Sequence, residues 1–466
     1  MAHKLYHQET TGMIAVVDSD FLYFMRDGKF YRVPHVMQTA GDVLATLEQY
    51  HLLTAWIVPE SRLSHQNEAF IHAADRGVWD ILVTKEEDGT IIALQGYRRS
   101  QQWQPSFYVV FPEYHGAWQP DNDEQALDNC TDATELYAAL HYLERELGVP
   151  LKQSPGAVGL ALLKKYVQPA WLAPTVPSDF LDTVTLAPDA IWQRPLTDDE
   201  KRMKYIHCID KNSAYLASAA TIHVGVGQPV RIVNPDYSKV DVTMPSVWHV
   251  TRIEGASIMD GKLLPVLARE GTWVWGTSMH ALHQSGYAVE CDEAYVWQSH
   301  MPCLQQWAKH VWNARLALKE NTPGYRNLDA VRRAYQEIKV IATRAVGRFA
   351  MRPHFAQKSI STDFHPDWFA EIVDATAVTM KRRMKRLVLA GHHPFLVYTD
   401  GLYIVSDERN PHLLPELQLS TANMLGGYKH SYTVRLADVI DVIEQDDSEA
   451  AIISQMKKHI LSDDEQ

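Results

Sequence analysis

Two short apolar segments, far apart in the chain, each reach an aspartate, and this feature constrains the fold most. MKYIHCID ends at Asp210 and is followed by KNSAYLASAA, which predicts a strand, a turn and the start of a helix. HPFLVYTDGLYIV predicts two strands joined by a turn at Asp400-Gly401. Carboxylates on neighbouring strands of one sheet lie close together, and Mg²⁺ prefers such oxygen ligands. Asp210 and Asp400 are therefore candidate metal ligands, although a strand that ends at an aspartate more often only leads into a loop, and an Asp-Gly turn is common in any hairpin.

Three helices are predicted between these two segments. They run from about Cys303 to Glu320, from about Leu328 to Phe349 and from about Asp367 to Leu389, and in the second the apolar residues recur at spacings of three and four. The net charge of the chain is −13, but residues 301–390 contain 16 Lys or Arg and 7 Asp or Glu, an excess of nine positive charges. This basic stretch permits a polyanionic partner, although solvated helix faces would produce it as well.

The N-terminal part of the sequence predicts a separate domain. Residues 1–170 predict a mixed α/β domain, in which the strand GMIAVVDSD ends in Asp18 and Asp20 and a hairpin with an Asp-Gly turn follows. Residues 171–200 are rich in proline and short polar side chains, which is typical of a connector.

Composition excludes several classes of protein. No run of about 18 apolar residues occurs, so no membrane-spanning helix is predicted. The first residues lack the apolar core of a secretory signal. The four cysteines show no CxxC spacing, which argues against a zinc site and a disulfide framework. We expect a cytoplasmic protein with reduced thiols.

The segments around the two aspartates resemble motifs of the family B DNA polymerases. DKNSAYLAS resembles motif A, DxxSLYPS, through Asp210, Ser213, Tyr215 and Ser218. Its two departures from the motif are alanines, in place of the leucine and the proline.

The other two motifs are matched less completely. KVIATRAVG resembles motif B, Kx3NSxYG, through Lys339 and Gly347, with Thr343 at the position of the asparagine. VYTDGLYIV resembles motif C, YxDTDSxxx, through Asp400, whereas Tyr398 occupies the place of the first aspartate. The order and spacing of the three segments suit a palm that is interrupted by fingers.

The resemblance implies a fold class and a division into domains. It implies an α/β and α+β multidomain protein in which a ribonuclease-H-like domain precedes the palm and fingers of a right-hand polymerase with a short thumb. The expected segments are the ribonuclease-H-like domain (1–170), connector (171–200), palm (201–300), fingers (301–352), second part of the palm (353–413), and short thumb with acidic tail (414–466).

The resemblance also implies roles for individual residues. Asp210 and Asp400 would bind two Mg²⁺ or Mn²⁺ ions that promote nucleotidyl transfer. Tyr215 would lie under the sugar of the nucleotide and exclude a 2′-hydroxyl, with Ser213 beside it. Cations of the fingers would bind the triphosphate. The candidates are Lys339, which is also expected to act in catalysis, with Arg332 and Thr343 on the same helix face and Arg315 and Lys319 on the preceding helix.

The N-terminal domain would correspond to a proofreading exonuclease or its remnant. Asp18 and Asp20 would form the first carboxylate pair of a two-metal nuclease site. The further carboxylate motifs of such a site are missing from the later strand and helix, so we expect the fold without proofreading activity. The alternative role of this domain is to hold the template or a single strand of DNA.

Three functions stay open at this point. The first is a template-directed DNA polymerase that adds dNTPs to the primer of a primer-template DNA. The second is a catalytically lapsed polymerase fold that binds nucleic acid, which the replacement by Tyr398 motivates. The third is a nucleotidyltransferase that works without a template, or a primase-like enzyme. A short thumb would give few phosphate contacts, so we also expect low processivity and salt-sensitive DNA binding.

Overall fold

The chain divides into two compact units, and each is described by itself. The first comprises Met1–Tyr166 and His310–Arg348, and the second comprises Val167–Lys309 and Phe349–Gln466. The computed structural model describes residues 14–61, 63, 78–85, 91–98, 107–111, 127–152, 154–172, 176, 184, 191–236, 244–254, 258–259, 262–263, 269–319, 327–350, 364–420, 424–445 and 448–461. The segment predicted as fingers, 301–352, is divided between the two units, because 310–348 belong to the first. The predicted domain boundaries stay a prediction.

Strands and helices occur in groups along the described parts of the chain. The strands are β1 Ile14–Val17, β2 Phe21–Arg26, β3 Lys29–Pro34, β4 Thr54–Ile57, β5 Trp79–Lys85, β6 Ile91–Arg98, β7 Phe107–Val110, β8 Ile191–Gln193, β9 Tyr205–Lys211, β10 Val224–Gly225, β11 Val230–Val233, β12 Ser246–Glu254, β13 Ile258–Met259, β14 Lys262–Leu263, β15 Thr272–Trp275, β16 Ala288–Val296, β17 His300–Met301, β18 Leu396–Tyr398, β19 Gly401–Ser406 and β20 Tyr428–Arg435. The helices are α1 Ala40–Gln49, α2 Ala133–Leu147, α3 Pro155–Leu163, α4 Ala214–Ala219, α5 Gly276–Gln284, α6 Gln305–Ala317, α7 Leu328–Phe349, α8 Pro366–Leu389, α9 Ile440–Glu444 and α10 Glu449–Lys458.

The first unit is built on a seven-stranded mixed sheet. Its strand order is β3-β2-β1-β4-β7-β6-β5, in which β1, β4 and β7 run parallel and the other neighbours are antiparallel. The β2–β3 hairpin turns at Asp27 and Gly28, which have φ angles of 51° and 70°. An Asp-Gly pair suits this turn because both residues tolerate positive φ, so the predicted hairpin is confirmed.

Helix α7 belongs almost entirely to the first unit, and its packing explains a glycine. A Cβ at Gly159 of α3 would lie 2.4 Å from the Cβ of Ala345 and 3.1 Å from the carbonyl oxygen of Ile341. Only a residue without a side chain allows α3 to approach α7 this closely. At the other side of the helix, Arg333 forms an ion pair with Glu135 of α2.

The second unit contains a five-stranded sheet that is covered on both faces. Its strand order is β20-β9-β19-β18-β8, and all neighbours are antiparallel. Ile209 and Leu402 pack against Met380 and Met384 of α8. Side chains of the opposite face pack against α9 and α10 in a second apolar cluster, which includes Cys208, Tyr403, Val434, Ile443, Ile452 and Met456. Burial on both faces explains why the central strand β19, GLYIVS, is buried throughout and almost entirely apolar.

A four-stranded sheet completes the core of this unit. Its strand order is β11-β16-β12-β15, and α5 covers one face through Met279 and Leu282. Helix α8 packs against α5 and α4 in addition to the five-stranded sheet. It is therefore the central support of the second unit.

Two expectations about the end of the chain need revision. The turn between β18 and β19 consists of Thr399 and Asp400, because Gly401 already pairs with Tyr398 in the hairpin. The prediction that placed the turn at Asp400-Gly401 was wrong by one residue. The short thumb over 414–466 is not confirmed, since Tyr428–Arg435 form the edge strand β20 beside β9 and the following helices pack on the same sheet.

Candidate active site

The five-stranded sheet brings Asp210 and Asp400 together. Asp210 is the penultimate residue of β9 and pairs in register with Gly401, the residue after Asp400. The backbone N–H of Lys211 donates a hydrogen bond of 3.2 Å to the carbonyl oxygen of Asp400. The two aspartates thus sit at the same end of adjacent strands, where the apolar covering of the sheet gives way to partly exposed side chains.

The turn that carries Asp400 has a strained backbone at one residue. Thr399 adopts a φ of 53°, which is uncommon for a β-branched residue. Its hydroxyl donates a hydrogen bond of 3.1 Å to Oδ1 of Asp400. The tight two-residue turn and this bond fix the Asp400 carboxylate next to the end of β9.

Two lysines balance the charge of these carboxylates. Nζ of Lys429 on β20 lies 3.4 Å from Oδ2 of Asp210. Lys211 is buried, and its burial lowers the pKa of its ammonium group to about 8, while the charge of Asp400 acts in the opposite direction. The site therefore contains two carboxylates and two lysines, a set in which Coulomb attraction offsets part of the cost of desolvation.

Helix α4 holds the remaining residues of the first sequence motif. Ser213 precedes it with a φ of 51°, so the chain turns sharply between β9 and α4. Tyr215 is half-buried and packs against the apolar cluster that contains Trp275 and Trp297. The hydroxyl oxygen of Ser218 lies 2.7 Å from that of Thr376 on α8, in a buried hydrogen bond that anchors α4.

Tyr398 is the residue that the motif resemblance sets at the position of a further aspartate. Tyr398 ends β18 and packs against the apolar cluster formed with α9 and α10. Within the part of the chain that the structure describes, no group of three or more His, Cys, Asp or Glu side chains could hold a metal ion. The donor set is thus a pair of aspartates, and it fits a hard divalent cation that takes its other ligands from water and phosphate oxygens.

The predicted triphosphate-binding residues belong to the first unit. Lys339 and Thr343 are exposed on α7, and the Thr343 hydroxyl donates a bond of 3.0 Å to the carbonyl oxygen of Lys339. Arg332, two turns before Lys339 on the same face, lies 3.3 Å from Asp329. The expectation that these three side chains share one side of the helix agrees with their exposure. Their role in nucleotide binding stays a prediction.

The two weaker candidates differ in accessibility. Lys319 is exposed just beyond the end of α6. Arg315 is buried, and its guanidinium carbon lies 4.4 Å from the ring centroid of Tyr335 on α7. Stacking of this kind suits a residue that joins two helices. Such burial favours a structural role for Arg315 over nucleotide binding.

Asp18 in the first unit has its carboxylate engaged locally. Oδ1 accepts hydrogen bonds from the backbone N–H groups of Asp20 and Phe21, at 2.7 and 2.6 Å. Oδ2 accepts a bond of 2.7 Å from the hydroxyl of Tyr23. Asp18 therefore shapes the turn between β1 and β2, and Asp20 is exposed at the same turn. A role of Asp18 and Asp20 in a nuclease site stays a prediction.

Comparison with known proteins identifies the fold. No protein-family model matches the chain, and no curated protein matches it in sequence. The ternary complex of Phi29 DNA polymerase with primer-template DNA and incoming nucleotide substrates is similar to it with a TM-score of 0.57 at 12% identity, over 91% of this chain and 84% of that chain. The chain has a DNA polymerase fold. The orthorhombic crystal form of Phi29 DNA polymerase gives a TM-score of 0.51 at 12% identity, over 90% and 83% of the two chains.

The resemblance to the family B polymerases is thus confirmed at the level of the polymerase fold. Sequence motifs alone located the end of β9 and the β18–β19 turn. Lys429 was missed, because only the pairing of β20 with β9, two distant segments, brings it to Asp210. None of the described helices has the length and apolar character that crossing a membrane requires.

Proposed function

We propose that the chain is a template-directed DNA polymerase that adds dNTPs to a primer. The observation that carries this proposal is the pairing of β9 with β19, which sets Asp210 beside Asp400 in a chain with a DNA polymerase fold. Fold alone does not define function, so the two carboxylates at the end of the sheet are decisive. Primer-template DNA and dNTPs are the substrates this site would take.

Asp210 and Asp400 would hold divalent cations, Mg²⁺ or Mn²⁺. When bound, such ions lower the barrier of nucleotidyl transfer by stabilising the attacking and leaving oxygens. The protein contributes position: the short turn and the bond from Thr399 fix one carboxylate, and the strand register fixes the other. Tyr215 would contact the sugar of the incoming nucleotide, and Lys339 its triphosphate.

We further propose that the first unit contains a ribonuclease-H-like domain. The strand order β3-β2-β1-β4-β7, with three antiparallel strands followed by parallel β4 and β7, supports this assignment. The local hydrogen bonds of Asp18 support a domain without proofreading activity. Incubation of labelled single-stranded DNA with Mg²⁺ tests this, since 3′ shortening that is lost in Asp18→Ala would contradict it.

A specific observation also favours the second candidate, a lapsed polymerase that only binds DNA. Tyr398 replaces a carboxylate, and Lys429 neutralises Asp210. Primer extension distinguishes the two. A labelled primer, alone and annealed to a template, is incubated with dNTPs and Mg²⁺ or Mn²⁺, using the wild type, Asp210→Ala and Asp400→Ala. Asp407→Ala, an exposed aspartate just after β19, is the matched control.

We expect extension of the annealed primer only, at an unchanged rate in Asp407→Ala. Loss of either metal ligand removes several kcal/mol of stabilisation of the transition state, a decrease on the order of a thousandfold in rate. DNA binding without any extension by the wild type would favour the lapsed polymerase. Extension of the unannealed primer would favour a template-independent nucleotidyltransferase.

A further inference from the structure

Lys429 occupies a defined position beside Asp210. It is the residue of β20 that pairs in register with Asp210, and its ammonium nitrogen lies 3.4 Å from Oδ2 of that aspartate. The bulge in this strand pair falls later, between His430 and Tyr432, so regular pairing sets the position of Lys429. Directly opposite residues of antiparallel strands project from the same face of the sheet, which explains why the two side chains meet.

The other neighbour of Asp210 is uncharged and small. On the β19 side Asp210 pairs with Gly401, which has no side chain, and Asp400 precedes that glycine. A Cβ at Gly401 would lie 3.5 Å from the carbonyl oxygen of Tyr398 and 3.5 Å from the ring of Tyr403, so this side of Asp210 is lined by uncharged groups. Asp210 thus has, on one side, the glycine that follows Asp400 and, on the other, the ammonium group of Lys429.

The ion pair between Lys429 and Asp210 is accessible to solvent. The side chain of Lys429 is 46% exposed and that of Asp210 is 25% exposed. A pair with this exposure stabilises its charges only weakly, in the range that corresponds to about a 1.5- to 5-fold change in an equilibrium constant. The flexible lysine side chain can therefore leave the carboxylate when a stronger cation arrives.

We propose that Lys429 is a built-in cation that competes with divalent metal ions for Asp210. This inference rests on the proposed function, in which Asp210 is a metal ligand. Lys429 neutralises Asp210 before the metal binds, which limits the repulsion between two carboxylates on adjacent strands. A divalent ion must displace the ammonium group from Oδ2, so the resident lysine weakens metal binding.

Direct measurement of Mn²⁺ binding tests this. The electron paramagnetic resonance signal of free Mn²⁺ is followed as the full-length protein is titrated, without DNA or nucleotide. The variants are Lys429→Gln, which removes the charge, Lys429→Arg, which keeps it, and Asp210→Asn. Lys458→Gln is the matched control, because Lys458 is exposed on α10 with a bond to Gln455 and its loss changes the net charge equally.

We expect Lys429→Gln to bind Mn²⁺ two- to fivefold more tightly than the wild type, with Lys429→Arg and Lys458→Gln close to the wild type. Asp210→Asn should bind at least tenfold more weakly. Unchanged or weaker Mn²⁺ binding by Lys429→Gln, with Asp210→Asn still impaired, overturns the competition but leaves the proposed metal site intact. An equal gain in Lys458→Gln also overturns it, since a general charge effect would explain both. Binding that does not depend on Asp210 overturns the metal site and the competition together.

Discussion

Asp374, a buried carboxyl on α8, makes the stability of the second unit depend on pH. Its side chain accepts hydrogen bonds from the backbone N–H of Ser278, at 2.8 Å, and from the Ser278 hydroxyl. Burial nevertheless raises the pKa of Asp374 to about 7, against the lowering effect of these two bonds. Burial, and next the charge of Asp374, also raise the pKa of Glu371, one turn earlier. Helix α8 supports both α4 and β9, so this region bears directly on the active site.

The sign of the effect follows from proton binding. In the unfolded chain an aspartate has the ordinary pKa of 3.8, so it loses its proton at a much lower pH than Asp374 does in the folded protein. Between pH 4 and 7 the folded state binds more protons, so the free energy of unfolding decreases as pH rises. A difference of about three pH units, at about 1.36 kcal/mol for each, gives an upper limit of about 4 kcal/mol. Above pH 7 the contribution of Asp374 no longer changes.

The Asp374→Asn variant isolates this contribution. Asparagine can accept from the Ser278 N–H and donate to its hydroxyl oxygen, and it does not titrate. Urea unfolding is measured between pH 4.5 and 8 for the wild type, Asp374→Asn and Asp407→Asn, an exposed control. Burial lowers the pKa of His207 to about 4, so His207 makes the free energy of unfolding decrease as pH falls from about 6.5 towards 4. This trend is opposite to that of Asp374, so the variants must be compared with the wild type at each pH.

The stability of Asp374→Asn relative to the wild type should rise with pH and level off near pH 7, by up to about 4 kcal/mol. Asp407→Asn should show no such trend. A difference between Asp374→Asn and the wild type that stays constant from pH 4.5 to 8 would refute the reasoning, since Asp374 would then titrate alike in both states.

Three further predictions concern packing, the sugar and salt. Gly159→Ala should lower the free energy of unfolding, measured in urea, by about 1–3 kcal/mol, because the new Cβ would collide with Ala345. Gly347→Ala on α7 is the control, and it should be neutral or stabilising by up to about 1 kcal/mol, because no described atom lies within 4 Å of its new Cβ. Equal losses in both would contradict the packing account. Tyr215→Val should raise incorporation of ribonucleotides relative to deoxyribonucleotides about tenfold or more in single-nucleotide assays, and an unchanged ratio would remove Tyr215 from sugar selection. Primer extension products should become shorter as salt rises from about 50 to 200 mM, because counterions compete with the phosphate contacts, and products of unchanged length at the higher salt would contradict this.

Local patterns in the sequence predicted the helices and the ends of the key strands well. The predicted bounds of α7, Leu328–Phe349, agree with the structure, because a periodic apolar stripe defines the helix locally. The prediction that a strand ends near Asp210 and that a hairpin carries Asp400 is confirmed for the same reason. The position of the turn was wrong by one residue, since Thr399 and Asp400 form it and Gly401 already pairs with Tyr398.

Features that depend on distant pairing could not be predicted. The pattern of β20 gives no indication that it joins the sheet beside β9. The burial of Lys211 and of Asp374 was also unexpected, because charged residues in a strand or helix are normally taken as exposed. Long-range contacts decide these cases, and a single sequence does not contain them in readable form.

Template dependence of single-nucleotide incorporation tests the central claim most directly. Four primer-templates that differ only in the first templating base are each mixed with one dNTP at a time, with Mg²⁺ and excess protein. The account predicts rapid incorporation of the complementary nucleotide on each template and loss of this incorporation in both Asp210→Ala and Asp400→Ala. Incorporation that ignores the templating base, or that persists in either variant, would contradict it.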